Sequence, residues 1–225
     1  MKKMDLHIHS NYSDGHFSIR SIIEMAELKN LTHIAITDHF TTTWKKLVIK
    51  TLNLKKISKY IDEIKRERVS SKVTCLIGIE IDMGSNINKI KQIPFHEFDI
   101  VLFEYTESLV TLKSVIALKN EFKIKAITSL AHNGYFKIAN LEKFNEFLVE
   151  NEIYFELNSR YLNKKDPNVI HKIKIMKDRG VKFTIGSDAH TKHRIGDIAT
   201  SISILEKIDG FKNLINFNHK RYSPF

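Results

Sequence analysis

Seven short runs of apolar, β-branched and aromatic residues recur along the chain, near residues 3–8, 33–37, 74–80, 98–104, 125–131, 152–158 and 181–186. Their length and composition predict buried strands. Between most of them the apolar positions return every third or fourth residue, the period of a helix. Ile19, Ile22, Ile23 and Ala26 form one such stripe, with Ser18 placed to cap it. Leu112, Val115, Ile116 and Leu118 mark a second, Leu141, Phe144, Phe147 and Leu148 a third, and Val169, Ile170, Ile173 and Met176 a fourth. A longer helix is predicted from Thr43 to about Val69, broken once near Leu52 and Asn53, while residues 82–97 carry no helical pattern. Strands alternating with helices predict parallel strands joined by helical crossovers, and seven such units predict an α/β fold, a distorted barrel of the TIM-barrel type with seven β/α units.

In such barrels the active site lies at the carboxyl ends of the strands. Taken in order, the strand ends carry His7 and His9, Asp38 and His39, Glu80, Glu104, His132, Asn158, and Asp188 and His190. His7 and His9 are two residues apart, so in a strand their side chains share a face. Each of the seven ends presents a group able to bind metal or substrate. The nitrogen and oxygen donors outnumber the roughly four to six that one ion takes, which implies several ions.

Composition changes this picture little. The 225 residues suit one domain, 1–225, and with 8 glycines and 3 prolines no linker-like stretch divides it. The lone Cys75 lies within an apolar run and reads as a small buried hydrophobe. The first residues show no signal-like apolar segment, so a soluble, cytoplasmic protein without membrane contact is expected. The net charge of +10 favours anionic ligands, whether a phosphorylated metabolite or nucleic acid.

His7-x-His9, Ser13-Asp14-Gly15, Ile36-Thr37-Asp38-His39, Gly78-Ile79-Glu80, Ala131-His132 and Gly186-Ser187-Asp188-Ala189-His190 occur in the order of a known family's motifs. In these motifs the chain resembles the polymerase-and-histidinol-phosphatase (PHP) family of metal-dependent phosphoesterases. The resemblance implies about two or three divalent ions per chain, drawn from Mn, Zn, Fe or Mg. It assigns His7, His9 and Asp188 to a first ion, Glu80 as a bridge to a second that also takes His132, and Asp14, His39 and His190 to a third. It further implies hydrolysis of a phosphate ester by a hydroxide shared between the first two ions. Arg160 is placed to grip the phosphate as a fork, and Arg194 and His193 are further substrate-binding candidates. Asp38 would orient a ligating histidine, in preference to the other role open to it, protonating the leaving group.

The chain departs from the family after the fourth strand. Thr106 stands where relatives usually carry a histidine for the second ion. Glu104, two residues earlier and so on the same face of the strand, is one replacement, and His96 is another. The resulting expectation is a phosphatase acting on the monoester of a small metabolite, as histidinol phosphatases do. A nuclease acting on RNA or DNA ends is the alternative, supported by the positive charge and by the aromatic and basic tail from Phe217 to Phe225. A regulatory module with a decayed second site is the non-enzymatic reading.

Overall fold

Strand character follows burial. In the computed structural model, which describes residues 3–132, 138 and 140–217, β1 (Met4–Ile8) and β2 (His33–Ile36) are buried along their whole length. A two-residue strand, β3 (His39–Phe40), follows. Then come β4 (Thr74–Asp82), β5 (Ile100–Glu104), β6 (Ile127–Leu130), β7 (Tyr154–Asn158) and β8 (Phe183–Gly186). Buried on both faces, these strands read as continuous apolar runs, as parallel strands do.

The strands pair in parallel in the order β1-β2-β4-β5-β6-β7-β8, with β3 pairing on β4. Ile8 bridges to Ala189, just past β8, where His9 N donates to Ala189 O at 3.0 Å. The barrel is thus closed at its carboxyl rim by the segments that carry the His7/His9 and Asp188/His190 motifs. One continuous apolar core runs from Met4 to Phe217.

The helices largely follow the expected stripes. Ser18 Oγ accepts from Ser21 N and caps α1 (Ile19–Leu28), which buries Ile19, Ile22, Ile23 and Ala26. Helix α2 (Leu54–Glu67) turns Ile57, Tyr60, Ile61 and Ile64 inward. The segment before α2 corrects the expectation of a helix from Thr43. Only a 3₁₀ turn, Trp44–Leu47, forms there. The threonine hydroxyls preceding it go to Asp82, and Leu52 bridges to Phe40, so tertiary partners compete with the helix. Residues 82–97 hold a single turn, α3 (Ile87–Ile90), and a 3₁₀ turn, Phe95–Glu97. Helices α4 (Leu109–Glu121), α5 (Leu141–Glu150) and α6 (Pro167–Asp178) fall where the stripes place them. A further helix, α7 (Ala199–Lys207), follows β8. Among the described residues no helix is long and apolar enough to cross a membrane.

Candidate metal centre

Eight of the expected ligands converge at the carboxyl rim. They fall into three groups whose donor atoms lie within 4.8 Å of one another: His7, His9 and Asp188; His7, Glu80 and His132; and His9, Asp14, His39 and His190. In the first, His7 Nε2 and His9 Nε2 are 3.0 Å apart and Asp188 Oδ1 is 3.0 Å from His9 Nε2. In the second, Glu80 Oε2 is 3.3 Å from His7 Nε2, and Oε1 is 2.9 Å from His132 Nε2. In the third, Asp14 Oδ2 lies 3.3 Å from His190 Nε2, and Oδ1 lies 3.8 Å from His39 Nε2 and 3.9 Å from His9 Nδ1. Glu80 Oε2 also stands 2.8 Å from His39 Nδ1, tying the second group to the third.

Local backbone geometry aims these groups. His132 and Asp188 sit just past their strands at φ of 25° and 53°, the left-handed region that L residues adopt at a cost. Gly186 lets β7 and β8 approach, since a Cβ there would run into Glu156 Oε1 and His7 Cβ. Glu156, not singled out from the sequence, joins two of the ligands. Its Oε1 accepts from His7 Nδ1 at 2.9 Å and its Oε2 from the His132 backbone N at 2.7 Å. Glu156 is two residues before Asn158, which donates to it at 3.1 Å. Strand alternation from Asn158 would have found it.

The donor set fits bound cations. His9 Nδ1, Asp14 Oδ1, His39 Nδ1 and Glu80 Oε2 are buried and make no hydrogen bond. Leaving such atoms unsatisfied costs about 1–3 kcal/mol each, and divalent cations shared among them would remove that cost. Acids and imidazoles polarise one another: against their burial, His7, His39, His132 and His190 are raised by the carboxylates they face, His39 to about 9. Burial favours a neutral Glu80, yet the charges of His7 and His39 and a hydrogen bond from His132 hold it well below the usual carboxylate range. Asp14 is likewise lowered to about 2 by His190, His39 and His9, against the effect of its burial. His9 is pushed down to about 4 by burial and by the neighbouring His39 and His7. It is held as a neutral imidazole, the form that binds metal.

The remaining candidates separate. Arg160 reaches the centre: its guanidinium donates to Asp188 Oδ2 at 2.9 Å and lies 3.4 Å from His190 Nδ1. His193 and Arg194 are engaged within their own loop, His193 with Thr191 at 3.3 Å and Arg194 with Asp197 at 3.9 Å. The structure does not bring these two to the ligand groups. Glu104 is buried 3.9 Å from His39 Nδ1, but both its oxygens accept from Lys45 Nζ at 2.8 Å. His96 sits on the surface beside Glu97.

Asp38 needs a correction. It is fully buried, and its carboxylate accepts from Ser10 N, Ser10 Oγ, Ser13 N and Ser13 Oγ at 2.5–2.9 Å. It therefore anchors the loop that carries Asp14 and is enclosed away from any leaving group. The carboxylate hydrogen-bonded to His7 is instead that of Glu156. Of the aromatic and basic tail, Phe217 stacks on His33 at the amino end of β2, away from the rim. Residues 218–225, including His219, lie outside the described residues.

A parallel α/β barrel with clustered His, Asp and Glu donors at its carboxyl rim defines a metal-dependent hydrolase. The chain matches the PHP domain over residues 5–170. It is 30% identical over 231 residues to a protein named probable histidinol-phosphatase from Clostridium acetobutylicum, covering 85% of this chain and 88% of that protein. It is 27% identical over 221 residues to the DNA polymerase/3'-5' exonuclease PolX of Bacillus subtilis, covering 91% of this chain but 37% of that one. In fold it resembles the histidinol phosphate phosphatase of Lactococcus lactis, solved with zinc, L-histidinol and phosphate, with a TM-score of 0.61, 19% identity, and coverage of 92% of this chain and 94% of that chain. The chain belongs to the PHP family and is a metal-dependent phosphoric ester hydrolase.

Proposed function

We infer that this protein hydrolyses the phosphate monoester of a small metabolite, of the kind that the histidinol-phosphatase relatives are named for. The observation that carries this reading is the convergence of the three donor groups with an arginine at their open side. His7, His9, Asp188, Glu80, His132, Asp14, His39 and His190 would hold the ions. Bound there, divalent ions supply Lewis acidity and lower the pKa of water toward neutrality.

The chain's own groups orient and neutralise. Glu156 fixes the tautomer of His7 by accepting a hydrogen bond from Nδ1–H, leaving the Nε2 lone pair to face the donor groups. Arg160 spends one donor on Asp188 and keeps the others for phosphoryl oxygens in fork geometry. Tyr161 lies against both Arg160 and His132, 5.4 Å and 4.9 Å away, with its ring half exposed to form one wall for the organic part of the substrate. The phosphatase reading is supported by the relatives named as phosphatases, at 30% and 25% identity, which the match covers over 88% and 86% of their own length.

The test is turnover by protein loaded separately with Mn²⁺, Zn²⁺ and Fe²⁺, on p-nitrophenyl phosphate, its bis-ester, amino-alcohol phosphates and oligonucleotides. Faster cleavage of monoesters than of the bis-ester is expected, with amino-alcohol phosphates among the substrates. Preference for the bis-ester or for oligonucleotide ends would move the assignment to the nuclease. No turnover of any ester with any metal would overturn it.

A further inference from the structure

The β5 corner of the rim holds two charged side chains that this reading does not use. Glu104, the last residue of β5, is 1% exposed, and its Oε1 lies 3.9 Å from His39 Nδ1. The Lys45 side chain, 15% exposed, places Nζ 2.8 Å from each of its two oxygens. Two contacts through Glu104 Oε1 therefore link this ammonium to a donor of the metal centre.

The lysine is built into place. It stands on the Trp44–Leu47 turn, whose approach is pinned where the hydroxyls of Thr41 and Thr43 donate to Asp82 Oδ2 at 2.8 and 2.9 Å. Asp82 is in turn the register partner of Glu104 across β4 and β5. On its other side the ammonium lies 4.3 Å from the centroid of the Tyr105 ring, and Tyr105 takes a left-handed φ of 60°. A lysine head normally sweeps freely on its four-carbon stem. Here it is gripped between a carboxylate and an aromatic face.

A carboxylate offering both oxygens to one ammonium is drawn away from the donor groups. An ammonium has three protons; two go to Glu104, and the third lies on the Tyr105 side, where an incoming phosphoryl oxygen would compete with Tyr105 for it. Building on the phosphatase reading, we propose that Glu104 is the anchor of Lys45 rather than a metal ligand, and that Lys45 is a substrate-binding cation contacting the phosphoryl oxygens of a phosphate monoester dianion. The dianion enters a rim lined by Asp14, Glu80, Glu104 and Asp188. Lys45 answers that negative charge from the β5 flank, as Arg160 does from the side of β7 and β8.

The test compares the parent with Lys45→Met/Glu104→Gln, which leaves no buried carboxylate uncompensated, and with Lys45→Arg, which keeps the charge. The readouts are metal equivalents by elemental analysis, calorimetric affinity for inorganic phosphate, and kcat and KM on p-nitrophenyl phosphate. The double variant is expected to keep its metal and to bind phosphate about ten- to a hundredfold more weakly, the weight of a charge-assisted hydrogen bond. Its KM should rise more than its kcat falls, and Lys45→Arg should recover most of the phosphate affinity. Loss of one metal equivalent in the double variant would show Glu104 to be a ligand. Unchanged phosphate affinity would reduce Lys45 to a neutraliser of Glu104, and either result overturns the proposal. Should the parent turn over no ester, the functional reading fails on its own, while metal count and phosphate affinity still decide the role of Lys45.

Discussion

Asp38 and Glu80 are equally buried acids within one rim, and they do opposite things. Asp38 is saturated: two backbone amides and two serine hydroxyls occupy it, and burial raises its proton affinity in spite of them. Asp5 repeats this pattern, accepting from Ser187 N, Ser187 Oγ and Gly196 N, with burial pushing it up to about 6. Glu80 faces four imidazoles, keeps one oxygen without a hydrogen bond, and is held ionised. Burial alone therefore does not separate a scaffold acid from a ligand. The partners separate them: neutral donors that reach both carboxylate oxygens mark an anchor, whereas imidazoles and an orphaned oxygen mark a place for a cation.

Substitution on the Glu80 side should have the largest effect. Glu80→Gln and Asp188→Ala are expected to lower kcat/KM for a phosphate monoester by about a thousandfold or more, with circular dichroism showing a folded protein. Retained activity in either would break the distinction. The Asp38 side should lose stability instead. Asp38→Asn replaces one acceptor oxygen with an NH₂ group that faces serine donors and is expected to cost about 2–4 kcal/mol in urea denaturation. A variant as stable as the parent would show that the serine cradle is not an anchor. Glu156→Gln lies between these cases, since it supports His7 without belonging to a donor group. It should weaken metal binding about ten- to a hundredfold, read by competition with a chelating dye. The smallest effect is expected at Cys75, buried and with its thiol pushed up to about 12. Because the thiolate is the reactive form, alkylation at pH 8 should be slow in the native protein and rapid once it is unfolded.

The strands were legible because apolar runs bounded by polar residues survive in any tertiary context, and each of the seven predicted runs overlaps an observed strand. The pair His39–Phe40 was not read as a strand, because its pairing with Glu80 and Ile81 on β4 is a long-range contact with no local period. The segment from Thr43 to Leu52 read as helix because its apolar spacing is helical, but its hydroxyls and Lys45 find partners on β4 and β5. At the centre, the donors at strand ends were legible from residue type and position. Glu156 escaped because it lies inside its strand, and Asp38 was misread because the saturation of a carboxylate is visible only in three dimensions. Arg160 was legible from its place just past β7, whereas the neighbours of Arg194 and His193 depend on a turn that the sequence does not specify.

Elemental analysis of protein purified without chelator tests most directly whether the three donor groups hold cations. Two or three equivalents of divalent metal per chain are expected, falling by at least one in Glu80→Gln. Less than one equivalent in the parent, after incubation with Mn²⁺ or Zn²⁺ and removal of excess, would contradict it.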